Sequence, residues 1–296
     1  MAGVRKTGIP VARGVCTLHG TWRRAIGRAP RSLVAALALL VCACASPSQH
    51  FADEARSLGF ASCVLAGDPF RHVAYFAQAD ARGDALHVYI EHDGTPWIDR
   101  THVSSDPTPR APFALELMAR DTGPRLFLGR PCYFDTHADE GCAAVLWTHR
   151  RYAPEIVASM VAALRAFLAR HPRRHVVLIG YSGGGTLAWL VASHVPETSA
   201  VVTIAANLDT DAWTTLHGYS TMSGSLNPAS QPPLPSSIVH LAYVGARDEN
   251  VPPSVVQSFA ATHPGTRMIA ISGFDHRCCW IERWPQLLGG ATMTAR

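Results

Sequence analysis

Residues 176 to 192, Val-Val-Leu-Ile-Gly-Tyr-Ser-Gly-Gly-Gly-Thr-Leu-Ala-Trp-Leu-Val-Ala, decide the fold. The opening apolar run has the composition of a strand buried on both faces, and Thr186 onward begins a helical pattern. Between them, Gly180-Tyr181-Ser182-Gly183-Gly184 fits G-x-S-x-G, a sharp strand-to-helix turn that lifts a serine hydroxyl into the open. Side chains at Gly180 and Gly184 would collide with neighbouring backbone at such a turn. The Gly183 N–H then stands at the positive end of a helix, where it stabilises an oxyanion. Phosphate-binding folds use Gly-rich turns too, so the reading depends on finding a base and an acid downstream.

Both are present, in order. Ser237-Ile-Val-His-Leu-Ala-Tyr-Val-Gly245 reads as a further buried strand, and Ala-Arg-Asp248-Glu-Asn-Val-Pro-Pro places an acid just past its end. Arg267-Met-Ile-Ala-Ile-Ser-Gly273 makes another, followed at once by Phe274-Asp275-His276. Rival acids are Glu249, Asp209 and Asp211; Asp275 is expected to cap the helix that follows. The chain order Ser, Asp, His resembles that of the α/β-hydrolase superfamily, in which G-x-x-D-x-x-V-P and G-x-x-H loops carry acid and base. The resemblance covers most of residues 60 to 290. It implies that His276 takes the Ser182 proton and that Asp248 orients the imidazole.

The resemblance also asks for a second oxyanion donor. Leu86-His-Val-Tyr-Ile alternates as a strand and runs into Glu91-His92-Asp93-Gly94, similar to the H-G-G loops of esterases except that Asp93 stands in place of the first glycine. The donor is the N–H of Asp93 or of Gly94; a plain Asp-Gly turn is the alternative.

Residues 1 to 44 carry seven Lys and Arg and no acid, then Leu33-Val-Ala-Ala-Leu-Ala-Leu-Leu-Val-Cys-Ala-Cys44. A basic segment, a short apolar core and a small-residue exit mark a secretory signal too short for a comfortable membrane span. Val41-Cys42-Ala43-Cys44 resembles a bacterial lipobox, departing from it at Cys42, and makes Cys44 the expected lipid-bearing residue. Cleavage near Ala45, an uncleaved anchor, or twin-arginine export through Trp22-Arg23-Arg24-Ala25 are the alternatives. The expected location is the periplasm, with the membrane reached through the N-terminal lipid.

Without that segment, 19 basic residues face 22 acidic ones, so the remaining domain is about −3 and has no case for nucleic-acid binding. Lys6 is the sole lysine of the sequence, which excludes a Ser-Lys dyad, Schiff-base chemistry and a P-loop from the domain. The fifteen histidines form no metal-binding helical pair, and neither a metal nor a cofactor is expected. Cysteines agree with export: Cys132 and Cys142 flank a short polar loop and are expected to bond, and Cys63 is a candidate partner for Cys278 or Cys279.

Strands are expected at 62–66, 72–78, 85–91, 125–129, 175–180, 200–205, 237–244 and 267–271. Helices are expected at 113–120, 154–170, 184–194, 253–262 and 277–288. That alternation gives an α/β fold for residues 45–296: a mostly parallel eight-stranded sheet with helices on both faces. Residues 207–236 break the rhythm as a short cap, where Trp213, His217, Tyr219 and Leu226, with Tyr181 at the elbow, line a pocket or pack the cap itself. The expected activity is cleavage of a carboxylic ester or thioester through an acyl-enzyme on Ser182, the substrate being a small molecule or an acyl group from the cell envelope. A peptidase or amidase with the same triad is the enzymatic alternative; a non-catalytic envelope-binding lipoprotein is the other.

Overall fold

The structure, a computed structural model, describes residues 45–77 and 83–294. The expected signal segment and Cys44 lie outside the described residues. From Ala45 onward the chain forms one compact unit.

Its frame is an eight-stranded sheet of order β1-β2-β4-β3-β5-β6-β7-β8. The strands are β1 (Ala61–Ala66), β2 (Arg71–Phe76), β3 (Ala85–Ile90), β4 (Arg125–Leu128), β5 (His175–Tyr181), β6 (Thr198–Ile204), β7 (Val239–Gly245) and β8 (Thr266–Ile271). Pairings β1–β2 and β2–β4 are antiparallel and the other five parallel, so β2 alone runs against the rest. Burial follows position in the sheet. β5 lies at the centre and is buried from Val176 to Tyr181, whereas edge strand β1 buries only Leu65. A strand covered on both faces has no polar side to present, which is why the sequence of β5 is apolar without interruption.

Helices α1 (Pro47–Ser57), α2 (Phe113–Ala119), α3 (Pro154–Arg170), α4 (Gly183–Ala192), α5 (Thr210–His217), α6 (Pro253–Thr262) and α7 (Trp280–Thr294) cover that sheet. α2 and α7 pack together, with α2 also against β3, β4 and β5. α4 packs on β5 and β6, on α3, and through Trp189 against Phe259 of α6. α4 buries every one of its residues, and its glycines make this possible: a Cβ on Gly184 would enter the carbonyls of Ile90 and Glu91, and one on Gly185 would strike the Ala206 methyl. The start of α4 is thereby pressed against the end of β3. α7 seats Trp280 and Trp284 in the core, and the Trp284 indole N–H reaches the Tyr89 hydroxyl at 3.1 Å.

Strand positions agree with the sequence pattern to within two residues at either end. α1 was not expected. Its signals were there: Ser46 accepts from the Gln49 N–H as N-cap, and Pro47 occupies the first turn. α7 begins three residues later than expected, because residues 277 to 279 continue the loop that carries His276.

The disulfides correct one expectation. Cys132 and Cys142 are bonded, with a Cα–Cα distance of 5.4 Å. Cys278 bonds its neighbour Cys279, and among the described residues Cys63 has no disulfide partner. Cys63 lies on β1 and the pair follows β8, at opposite edges of the sheet. Seven strand spacings of about 4.8 Å separate them, far beyond the reach of a disulfide.

Candidate active site

Ser182 follows the last residue of β5 and caps α4 with φ 52° and ψ −124°. A left-handed φ at a non-glycine residue costs about 1–3 kcal/mol and persists because β5 and α4 fix both ends of the turn. The Ser182 N–H is held by the Ile204 carbonyl at 2.9 Å, and the side chain is partly exposed. Its hydroxyl makes no hydrogen bond among the described residues.

The loops after β7 and β8 bring Asp248 and His276 together. Gly245 has the Phe274 and Asp275 carbonyls 2.8 Å from where a Cβ would stand, and the Arg247 N–H donates to the Phe274 carbonyl at 2.8 Å. This close approach sets His276 beside Asp248, whose Oδ2 receives the His276 Nδ1 at 2.8 Å. Asp248 is buried, and its Oδ1 accepts the N–H groups of Asn250 at 2.9 Å and Val251 at 2.8 Å. A carboxylate with three donors is fixed as an acceptor, so Nδ1 carries the imidazole proton and Nε2 presents its lone pair. That lone pair faces the Asn250 side-chain Nδ2 at 3.0 Å.

The rival acids are occupied elsewhere. Asp209 caps α5 through the Ala212 N–H and accepts from Ser258, Asp211 accepts from Asn227, and Glu249 is exposed. Asp275 accepts the N–H groups of Arg277 and Cys278 and so closes a turn within the loop; it does not cap the following helix as expected, because that helix begins only at Trp280.

The loop 92–94 lies against the elbow, with Asp93 at Gly183 and the His92 ring 5.7 Å from that of Tyr181. The Gly94 N–H is bonded to His92 Nδ1 at 3.0 Å, and His92 Nε2 donates to the Ala111 carbonyl at 3.2 Å. Burial pushes His92 down to about 4, so it stays neutral in this arrangement. The Asp93 N–H has no partner among the described residues, and neither has that of Gly183. Of the two candidate donors in this loop, Asp93 therefore has the available amide.

The Asp93 side chain turns away from solvent and occupies the space a Cβ on Gly183 would need, together with the Tyr152 hydroxyl. Its Oδ1 pairs with Arg130 at 2.5 Å; its Oδ2 pairs with Arg151 at 3.0 Å and accepts from Tyr152 at 2.7 Å. The Tyr133 hydroxyl donates to the Asp93 carbonyl at 3.0 Å. Burial alone would raise this carboxyl, but Arg151 and Arg130 hold it well below the usual carboxylate range. Sequence reasoning missed Arg130, Arg151, Tyr133 and Tyr152. No motif marks them, since their role is defined by a residue about 40 to 60 positions away.

Tyr181 is buried against His276: its ring centroid is 5.3 Å from that of His276, its hydroxyl donates to the His276 carbonyl at 2.9 Å, and Phe113 stacks on it at 4.0 Å. Trp213, His217 and Tyr219 form a cluster with centroids 5.2 to 5.4 Å apart, and Tyr219 is 56% exposed. The Trp213 indole and the His217 Nε2 both donate to the Asn250 main-chain carbonyl, at 2.8 and 2.7 Å. The cluster is thus one residue, Asn250, removed from His276. Leu226 packs against the core.

No protein-family model and no curated protein matches the sequence. Solved structures do match in shape. A bacterial membrane phospholipase A described as a virulence factor superposes with a TM-score of 0.53 at 14% identity, over 90% of this chain and 99% of its own. The chain has the α/β-hydrolase fold. An esterase of Pyrococcus furiosus with this fold gives 0.55 at 12% identity, over 80% of this chain and 93% of its own. The acylaminoacyl peptidase of Pyrococcus horikoshii gives 0.52 at 12%, over 80% of this chain and 40% of its own. Within the α/β-hydrolase fold Ser182 after β5, Asp248 after β7 and His276 after β8 all stand at carboxyl ends of strands, the edge at which open α/β sheets bind ligands.

Proposed function

We propose that the protein is a serine hydrolase that cleaves a carboxylic ester or thioester through an acyl-enzyme on Ser182. The observation that carries this is the Asp248–His276 hydrogen bond of 2.8 Å in the loops beside a strained, partly exposed serine. Esterase and phospholipase activity among proteins of this fold supports the ester as substrate class.

In this reading the Ser182 Oγ attacks the substrate carbonyl while His276 Nε2 takes its proton. Asp248 keeps the second imidazole proton on Nδ1 and stabilises the imidazolium. Negative charge develops on the carbonyl oxygen between the N–H groups of Gly183 and Asp93. Collapse expels the alcohol or thiol, which receives the proton from Nε2. Water then repeats the sequence and frees the acid.

The excess positive charge behind the oxyanion site, two guanidinium groups against one carboxylate, adds a favourable field for that oxygen. We also propose export, with lipidation at Cys44, as the setting. The Cys132–Cys142 disulfide supports an oxidising compartment. Among the described residues no helix is long and apolar enough to cross a membrane.

A fluorophosphonate probe tests the assignment. The expected result is one adduct per molecule mapped to Ser182 and lost in Ser182→Ala and His276→Ala. Turnover of nitrophenyl esters with none of peptide anilides separates esterase from peptidase. A folded protein that takes up no probe refutes the catalytic reading and favours a binding lipoprotein.

A further inference from the structure

His276 has one lone pair to offer, and in this structure it faces Asn250 rather than Ser182. The Asp248 carboxylate, fixed as an acceptor by two main-chain N–H groups, requires the proton on Nδ1. A neutral imidazole with its proton there is a pure acceptor at Nε2, so the group 3.0 Å away is the amide NH₂ of Asn250. An sp² nitrogen takes one good hydrogen bond in its plane. While Asn250 holds it, the Ser182 hydroxyl has no base, in agreement with its lack of any hydrogen bond among the described residues.

Asn250 is itself placed from outside the triad. Its main-chain carbonyl oxygen receives two N–H groups, from Trp213 and His217 on helix α5, so the cap and not the acid loop alone fixes the backbone from which the side-chain amide reaches out. The side chain is exposed, which lets it swing into solvent without opening the core.

We propose that Asn250 is a latch on the general base, set by the Trp213–His217 pair, and that its release from His276 Nε2 is the step that arms Ser182. The proposal rests on the reading of Ser182 and His276 as nucleophile and base. Release breaks the Asn250 Nδ2–H to Nε2 hydrogen bond and forms the Ser182 Oγ–H to Nε2 one; no covalent bond changes until substrate is attacked. The latched arrangement also keeps the imidazole in the tautomer that catalysis needs. Asn250 is thus a positioning residue that acts on the triad through His276.

The test compares second-order rates of fluorophosphonate labelling at Ser182 for wild type, Asn250→Ala, Asn250→Asp and Trp213→Phe, each checked for an unchanged melting temperature. Removing a single hydrogen bond that competes with the reactive one is expected to speed labelling about 3- to 10-fold in Asn250→Ala. Trp213→Phe keeps an aromatic ring but loses the indole N–H, one of the two donors to the Asn250 main-chain carbonyl, so it is expected to speed labelling by a smaller factor. Asn250→Asp places a carboxylate against Nε2, draws a proton onto it, slows labelling at neutral pH and moves the acid limb of the pH profile upward.

A merely structural asparagine would slow all three variants and leave the pH limb unmoved. Labelling of wild type at a rate that Asn250→Ala does not exceed removes the latch and leaves the hydrolase. No labelling of Ser182 in any of the four proteins removes the hydrolase reading, and the latch with it.

Discussion

Asp93→Asn removes a charge and little else, and the structure sets the size of its effect. The carboxylate lies between Arg130, whose side chain is 1% exposed, and Arg151, at 13%, and is itself one-fifth exposed. An asparagine keeps the shape and one acceptor for the Tyr152 hydroxyl but leaves two guanidinium groups facing each other with no counter-charge. Removing one partner of a buried pair costs about 3–5 kcal/mol, and the partial exposure of Asp93 points to the lower end, about 3 kcal/mol. For a domain of this size that is a fall of roughly 6–12 °C in melting temperature. The assay is reversible urea and thermal unfolding of the domain from residue 45. The loss should be insensitive to salt, because the pair is shielded from the ions that screen surface charges.

Its pH dependence has a defined sign. Asp93 is held below the carboxylate range when folded, so its contribution is complete above the unfolded value near 4 and fades only as pH falls through the lower folded value. The gap between wild type and variant should be constant from pH 7 to pH 5 and close only in strong acid. Adding Arg130→Met should restore part of the loss, since it takes away one of the two uncompensated charges. A loss below about 1 kcal/mol, or no rescue by the second substitution, would refute the account of this cluster.

Two further outcomes follow from the site. Glu91 is fully buried and accepts the N–H groups of His92 and Ala114, yet burial pushes it up to about 8. A group raised on folding stabilises below its unfolded value near 4.5 and loses that contribution as pH climbs through 8, so melting should fall between pH 5 and pH 9 and Glu91→Gln should flatten the curve. Ser182→Gly relieves the left-handed backbone at the elbow, and is expected to abolish probe labelling while raising stability by about 1 kcal/mol in the same melts.

Much of this molecule is readable along the chain because its sheet is central and parallel. A strand such as Val176 to Tyr181, covered on both faces, writes its burial into every residue, and the turn that follows admits only glycine at its tight positions. Ser182, Asp248 and His276 stand just past the carboxyl ends of such strands, so their places were marked by local pattern alone. α1 is marked only by its first residues, Ser46 and Pro47, and such caps are too short a signal to set a helix apart from a turn without the sheet it packs on. The pairing proposed for Cys63 failed for a different reason. Which strand is an edge is decided by strand order, and composition carries no trace of that order.

The sequence by itself determined the alternation of strands and helices, the elbow, and the order of serine, acid and base, all of which depend on neighbours within a few residues. Only the tertiary structure decided that Arg130 and Arg151 pair with Asp93, that among the described residues the Asp93 amide rather than that of Gly94 is without a partner beside Gly183, and that the Asn250 side chain meets His276 Nε2 while Trp213 and His217 hold the Asn250 main-chain carbonyl. The ion pairs on Asp93 and the contacts of Asn250 join groups separated by about 25 residues or more. Charge and hydrogen bonding act through space, and the chain specifies that space only once the sheet has been assembled.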